Sequence, residues 1–510
     1  MTLNRRDFLK ATAAGSVSFF AFGKSSYLNF SSFIDKPNLL FIITDEQRPD
    51  TMKAYGNNLI QVPNLNKLAS ESLVFKNNYV TQPVCTPSRS TIMTGLYPHQ
   101  TGCTNNNLPL NEDIHTLPEL LDDPEYNTAF FGKWHLGDEI FPQHGFKEWA
   151  ATEDMYRKYY RKNRDKSARS AYYNWLISKG VKLPDNASVF SRNFTSHLPL
   201  ELSKPRFLQE KAVDFLEKNK KNPFVLYVSF LQPHPPFYGP LNNYYDPEKI
   251  KLTPDVGIRV GEDEPLWYRE RSASEKMTPE EWKKLTAIYY GLITEVDMSI
   301  GVILKKLETL GLKDNTIVVF TSDHGEMMGA HNILHKEVMY QESAQVPLLI
   351  RYPKSGFKQR LIDQPVSSID IVPTLLKAMG KSGFDYEKFP GSSLLDFAEG
   401  KKLRQDHSYI EWTPNYLNKP KKRVPDAIPG IPESELIKIA NQNVRTVVSP
   451  EGWKLCLSDK DKSQLFNIKK DPYEMSNLFY SKDHDKIKTV LVEKIFNWQK
   501  STNDKIKLNF

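Results

Sequence analysis

Four short apolar runs punctuate the chain, and each ends abruptly in groups suited to anion or metal chemistry. Asn38–Thr44 precedes Asp45-Glu46, and Asn127–Phe131 precedes Gly132-Lys133-Trp134-His135. Phe224–Phe230 leads to His234, and Thr316–Ser322 leads to Asp323-His324. Runs this short and this continuous predict strands buried on both faces, as in a parallel sheet. Helical patterns separate them: Lys204–Lys218 before the third run, and Glu280–Leu310, stopped by Gly311, before the fourth. The alternation predicts an α/β fold, a large mixed and mostly parallel sheet sandwiched by helices, with ligands at the carboxyl ends of its strands. Asp363–Gly380 reads as a further strand and helix. Gly452–Cys456 and Gln464–Asn467 then predict a small C-terminal antiparallel sheet. The expected organisation is an N-terminal segment over 1–30, a main domain over 36–395 and a C-terminal subdomain over 396–510, with no internal repeat.

One further run carries chemistry. Cys85-Thr86-Pro87-Ser88-Arg89 opens a predicted helix that continues through Ser90–Gly95. Proline is favoured in a helix's first turn, where its missing N–H is not needed. Cys85 would therefore sit at a helix N-terminus, whose backbone N–H groups and dipole attract negative charge. Arg89 lies one turn along the same face. The arrangement suits an anion held against side chain 85.

Composition narrows the class. A hydrophobic content of 39% in 510 residues supports a real core, and no interior run resembles a membrane span. Three cysteines, Cys85, Cys103 and Cys456, cannot build a disulfide framework; a Cys103–Cys456 bridge is the one left if Cys85 is converted, and no pattern supports it. Of the net charge of +7, residues Arg5, Arg6, Lys10 and Lys24 against Asp7 account for +3. The mildly basic remainder is compatible with an anionic substrate and far from a nucleic-acid-binding profile. Asn4–Lys10, followed by the apolar Ala11–Phe22, matches a twin-arginine export signal. That predicts handling by the twin-arginine translocase and a periplasmic location. No cysteine precedes residue 85, so no lipoprotein anchor and no stable membrane anchor are expected.

Pro83–Gly95 resembles the signature of the formylglycine-dependent type I sulfatases, arylsulfatase-like members of the alkaline phosphatase superfamily, and Gly132–Gly137 resembles their second signature. The resemblance spans roughly residues 37 to 480. It implies that a formylglycine-generating enzyme oxidises Cys85 to Cα-formylglycine, whose hydrated aldehyde attacks sulfur with one hydroxyl and expels sulfate with the other. It implies one Ca²⁺ per chain, rather than Mg²⁺, held by Asp45, Glu46, residue 85, Asp323 and His324. Arg89, Lys133 and Lys336 are implied on the sulfuryl oxygens, His135 as base on the diol and His234 facing the leaving oxygen. Trp134, His331 and His335 are implied substrate contacts. Three departures stand out. Glu46 replaces a common second Asp, His324 falls where Asn is frequent, and Glu125 precedes Tyr126 where the family usually has Gly.

Met155–Lys179 interleaves Tyr156, Tyr159, Tyr160, Tyr172, Tyr173 and Trp175 with basic residues. It reads either as a wall receiving a sulfated sugar or as an amphipathic insertion with a solvated basic face. Gly257–Met277 and Lys419–Glu433 read as loops of the kind that decide substrate. The leading expectation is a sulfatase acting on a sulfated oligo- or polysaccharide, such as ulvan, carrageenan or a glycosaminoglycan. The alternatives are a phosphomonoester or phosphonate hydrolase of the same fold, or an inactive sulfated-glycan-binding protein.

Overall fold

Alternation along the first run decides how the sheet is covered. In β1 (Asn38–Asp45), Leu40 and Ile42 enter one apolar cluster while Leu39, Phe41 and Ile43 enter another, and all eight residues are buried. Successive side chains of a strand point to opposite faces, so an unbroken apolar run requires cover on both. The computed structural model describes residues 36–510 except 357–358, 382, 384, 415–427, 429 and 509–510. The expected export signal and most of the expected loop at 419–433 lie outside the described residues.

The remaining strands of the main sheet are β2 (Leu73–Tyr79), β3 (Asn127–Gly132), β4 (Glu148–Ala151), β5 (Phe224–Pro233), β6 (Thr316–Ser322), β7 (Gln345–Arg351), β8 (Arg360–Ile362) and β9 (Val366–Ser367). Their order is β4-β3-β5-β1-β6-β7-β2-β8, with β9 also on β2. The four strands read from apolar runs, β3, β5, β1 and β6, are consecutive and parallel, in registers such as Asn127↔Phe224, Leu39↔Val225 and Asn38↔Thr316. Their carboxyl ends therefore open at one edge of the sheet. β7 runs antiparallel to both β6 and β2.

The helices that matter are α1 (Cys85–Thr94), α2 (Lys204–Lys218), α3 (Leu266–Ser274), α4 (Pro279–Thr309), α5 (Ile371–Ala378) and α6 (Asp485–Thr502). α2 and α4 pack on one face of the sheet and α5 on the other. Thr278 and Glu281 form a capping box at the start of α4, with Pro279 at its first position. By length and composition α4 is apolar enough to cross a membrane, which the sequence reading did not flag; its buried residues from Trp282 to Leu307 make it a core helix. α3 also corrects an expectation: within the expected loop 257–277, Trp267 and Tyr268 are buried and fold Leu266–Ser274 into a helix.

Strands β10 (Ser408–Trp412), β11 (Val444–Val448), β12 (Trp453–Ser458) and β13 (Gln464–Asn467) form the antiparallel second sheet. Its cluster of Val447, Leu455, Leu457 and Leu465 packs on Leu491, Ile495 and Trp498 of α6. Lys36–Phe510 is one compact unit. All three cysteines are free and buried, so the conceivable Cys103–Cys456 bridge is not formed.

Candidate active site

Cys85 is the first residue of α1, after extended Val84, and every residue of this helix is buried. The Cys85 Sγ lies 3.2 Å from His324 Nε2, 3.6 Å from Lys133 Nζ and 3.9 Å from Asp45 Oδ1. The four strand ends thus converge on the helix start. A register shift between Ile43 and Asp45 sets Asp45 opposite Pro233, one residue before His234. Bulges of this kind re-aim a side chain at the rim of a sheet. Gly132 has φ 118°, and a Cβ there would overlap the Ser229 carbonyl. Only glycine lets β3 run this close to β5 while turning Lys133 inward.

Arg89 binds the strand ends together. Its Nε donates to Asp323 Oδ2 at 2.8 Å and its Nη2 to Asp45 Oδ2 at 3.1 Å. Nη1 donates to the Lys133 carbonyl at 2.7 Å and Ser229 Oγ at 2.9 Å. This guanidinium, 3% exposed, orients both carboxylates. Lys133 is fully buried, and its Nζ pairs with Asp45 Oδ2.

Burial opposes ionisation of Asp45, but Lys133, His234 and Arg89 outweigh it and hold the carboxyl well below its ordinary range. Asp323 is raised, because burial and Asp45 outweigh Arg89. Burial, then Asp45, pushes the Cys85 thiol up despite Lys133. A thiolate nucleophile is thus disfavoured where the geometry is otherwise richest.

The donor set fits a divalent cation. Ligand atoms of Asp45, Cys85, Asp323 and His324 all lie within 4.8 Å of one another, and all four residues are buried. His324 Nδ1 is 2.9 Å from the Gly325 carbonyl, which fixes that nitrogen as the donor and leaves Nε2 as a lone pair facing the cluster. Carboxylates with one imidazole suit several divalent ions.

Glu46 belongs to an adjoining group, its carboxylate within 4.8 Å of ligand atoms of Asp45 and His234. Its backbone is left-handed (φ 70°), its N–H donates to Asp323 Oδ1 at 3.2 Å, and its carbonyl accepts from Tyr289 of α4 at 2.6 Å. The carboxylate pairs with Lys336 Nζ and lies 3.5 Å from His234 Nε2. His234 Nδ1 meets the Pro235 carbonyl at 2.8 Å and Arg192 at 3.3 Å. Burial, then Lys133, hold its imidazole well below its ordinary range. Lys336 sits on a segment tied down by α3, since Arg271 donates to the carbonyls of Lys336 and, at 2.7 Å, Leu334.

His135 has a left-handed backbone (φ 58°) held by its own N–H and that of Trp134, both donating to Glu139 at 2.7 and 2.8 Å. Nε2 lies 3.0 Å from Asn107 Oδ1, while Nδ1 is buried without a partner. Burial, then Lys133, keep the ring neutral. Tyr156 packs on it at 4.4 Å, and the Tyr156 hydroxyl accepts from Arg192 at 2.8 Å.

Two expected substrate contacts lie elsewhere. Trp134 is 1% exposed and packs among Phe130, Phe146 and Trp149, because the turn that points Lys133 inward sends its neighbour into the core. His331 is buried and stacked on Tyr340 at 3.8 Å, apart from the Cys85 group. His335 is half exposed beside Glu326 at 3.6 Å, and Glu326, His335 and Glu46 form one group at the rim. Sequence reasoning missed Glu139, Asn107 and Arg192. Glu139 was legible as a carboxylate two residues past the second signature; Arg192 carried no local signal.

The Met155–Lys179 segment divides between its two readings. Tyr156 joins the site; Tyr172 and Trp175 pack on Phe207 of α2; Lys158 and Tyr159 face solvent.

The family profile described as Sulfatase matches residues 37–381. An ulvan-active sulfatase of Formosa agariphila is 33% identical over 67% of this chain; the chain spans 61% of that relative's length. An N-acetylglucosamine-6-O-sulfatase of Bacteroides thetaiotaomicron is 27% identical over 92% of this chain and 87% of its own. In fold, the chain is similar to the phosphonate monoester hydrolase of Silicibacter pomeroyi, with a TM-score of 0.74 at 23% identity, covering 91% of this chain and 96% of that one. With the family match covering most of the domain that gathers Asp45, Cys85, Lys133, His234 and Asp323, the chain belongs to the sulfatase family and is a sulfuric ester hydrolase.

Proposed function

We propose that this enzyme removes sulfate from a sulfated oligo- or polysaccharide, using a formylglycine made from Cys85 and one divalent cation, Ca²⁺, at Asp45, Asp323, His324 and residue 85. One observation carries the reading: a buried, unactivated thiol lies within 4 Å of Asp45, Lys133 and His324, where three strand ends meet the helix start. As found, Cys85 Sγ stands where an oxygen of the hydrated aldehyde would be. The diol supplies a nucleophile and an internal route for expelling sulfate, and the cation supplies positive charge beside the sulfuryl oxygens.

The chain's own residues do the rest. Lys133 Nζ, 3.6 Å from the atom it would steer, favours an anionic oxygen on residue 85. His135 Nδ1, neutral and unpartnered, is suited to take the proton of the second hydroxyl. His234 Nε2, Glu46 and Lys336 form the proton-handling group on the opposite side, where the departing sugar oxygen needs a proton. Arg89 holds both carboxylates in place throughout.

A saccharide substrate is supported by relatives whose names specify ulvan and N-acetylglucosamine-6-O-sulfate activity, and by Tyr156 beside His135. Export to the periplasm by the twin-arginine translocase belongs to the same proposal, resting on Asn4–Lys10. The test is peptide mass spectrometry across residue 85 on protein from its native producer. Desulfation assays on defined sulfated oligosaccharides and matched aryl sulfate and aryl phosphate esters accompany it. Aldehyde at residue 85 with release of sulfate from a sugar supports the proposal. Unmodified Cys85 in active protein, or a preference for phosphate, overturns it.

A further inference from the structure

A second group of metal-ligating side chains lies outside the catalytic cluster. Asp255, His331 and Glu342 bring their ligand atoms within 4.8 Å of one another. Asp255 is fully buried, yet neither carboxylate oxygen has a hydrogen-bond partner. His331 is 3% exposed; its ring leans on the Tyr473 backbone, and Nε2 has no partner. Glu342 Oε2 is likewise buried and unpartnered. Buried carboxylates are ordinarily hydrogen bonded or paired, because stranding one costs several kcal/mol. Three converging unpaired acceptors are hard to reconcile with an apolar pocket and fit a cation.

The neighbouring cations bear on the group only from a distance, Arg48 on Glu342 and Lys454 on His331. Arg48 pairs with Asp50 at 2.7 Å, and Lys454 pairs with Glu474 at 2.7 Å. The backbone around the group is preset. His331 N–H donates to the Asp255 carbonyl at 2.9 Å, Val256 and Ala330 form an antiparallel bridge, and Ser272 Oγ of α3 donates to the His331 carbonyl at 2.7 Å. A cleft of about 910 Å³, lined by Arg48, Gln341, Glu342 and Tyr473 among others, borders the group at Glu342.

We propose that Asp255, His331 and Glu342 bind a second divalent cation, distinct from the catalytic one. Two carboxylates and one imidazole suit Zn²⁺ or Mn²⁺ better than Ca²⁺, which takes six to eight oxygen ligands. The ion joins the 253–258 segment to both ends of the segment that runs from His331 through His335 and Lys336 to Glu342. It thereby fixes the stretch carrying Lys336 from below, while Arg271 holds it from the side.

The test counts ions. Full-length protein is stripped with EDTA, dialysed against Mn²⁺ or Zn²⁺, and its bound metal measured by elemental mass spectrometry. Wild type should hold two ions per chain, and Asp323→Asn, Asp255→Asn and His331→Gln one each. Mn²⁺ should raise the melting temperature of Asp323→Asn, and the rise should vanish when His331→Gln is added. Where Asp255→Asn fails to fold by circular dichroism, the His331→Gln count decides. One ion in wild type that folded Asp323→Asn loses, or two retained by folded His331→Gln, overturns the assignment. So does a folded Asp323→Asn protein that binds none.

Discussion

Replacing Arg89 with Met keeps much of the side chain's length and removes the charge that two buried carboxylates share. Lys133 still pairs with Asp45 in the variant, so Asp45 keeps a cation. Asp323 does not: apart from Arg89 its partners are the backbone N–H groups of Glu46 and His324 and the neutral His324 ring, whose Nε2 lies 3.7 Å away. One carboxylate, not two, is orphaned, and breaking a buried pair in this way costs about 3–5 kcal/mol. The loss should appear in urea denaturation with EDTA present, as a lower midpoint at unchanged slope.

The pH dependence follows from the sign of the Asp323 shift. Burial already raises this carboxyl, and losing Arg89 raises it further. A carboxyl whose folded pKa exceeds its unfolded one binds more protons in the native state, so native stability declines as pH rises toward the folded value. The deficit of Arg89→Met against wild type should therefore be largest at neutral pH and shrink under acid. Adding a divalent cation should recover part of it, since positive charge then returns to both carboxylates. A deficit below about 1 kcal/mol, the scale of an exposed ion pair, or one that grows on acidification, would refute the reasoning.

Cys85→Ser should retain the fold, lose at least about 10³-fold in turnover and accumulate a sulfated enzyme visible by intact-mass measurement, since one hydroxyl can attack but cannot expel. Glu46→Gln should leave the number of catalytic-site cations unchanged by elemental analysis while altering the pH profile of kcat, because Glu46 pairs with Lys336 and His234. Arg192→Met removes a cation that helps hold the His234 imidazole down, so the alkaline limb of the rate profile should move to higher pH. Gly132→Ala should give insoluble or destabilised protein, since the added Cβ meets the Ser229 backbone, which cannot step aside.

The parallel strands were legible because both faces of the sheet are covered, so each strand leaves an unbroken apolar run bounded by its polar end. Cys85 was legible because Pro87 and Arg89 mark a helix start at fixed spacing. What spacing cannot carry is direction. Spacing puts Arg89 one turn along the helix face that begins at Cys85, but only the convergence of the strand ends shows that its donors meet both carboxylates. Trp134 follows from a reversal at Gly132 and His135, whose positive φ values send neighbouring side chains to opposite sides. Arg192 reaches His234 from 42 positions away, through a segment with no periodicity to read. α3 was hidden because Arg269, Glu270 and Arg271 dilute the apolar signal of Trp267 and Tyr268.

The charges around residue 85 explain why Glu46 matters even away from the cluster of ligand atoms. Asp45, Glu46 and Asp323 face Arg89, Lys133 and Lys336, three anions against three cations, each already paired. In a site this buried, an incoming sulfate ester meets no net positive charge from the protein alone, and stranding its charge there would be costly. A divalent cation at Asp45, Asp323 and His324 changes that balance, and the raised Asp323 carboxyl is a group that gains from it. Glu46 meanwhile keeps Lys336 neutralised until substrate arrives. The lysine is then available to an anion only when its pairing with Glu46 is weakened, as when a proton passes from Lys336 to the carboxylate or on to His234 Nε2, 3.5 Å from the same oxygen and without a hydrogen in the neutral ring. Binding of the sulfuryl group and delivery of a proton to the leaving oxygen thus draw on one three-residue exchange rather than on two independent sites.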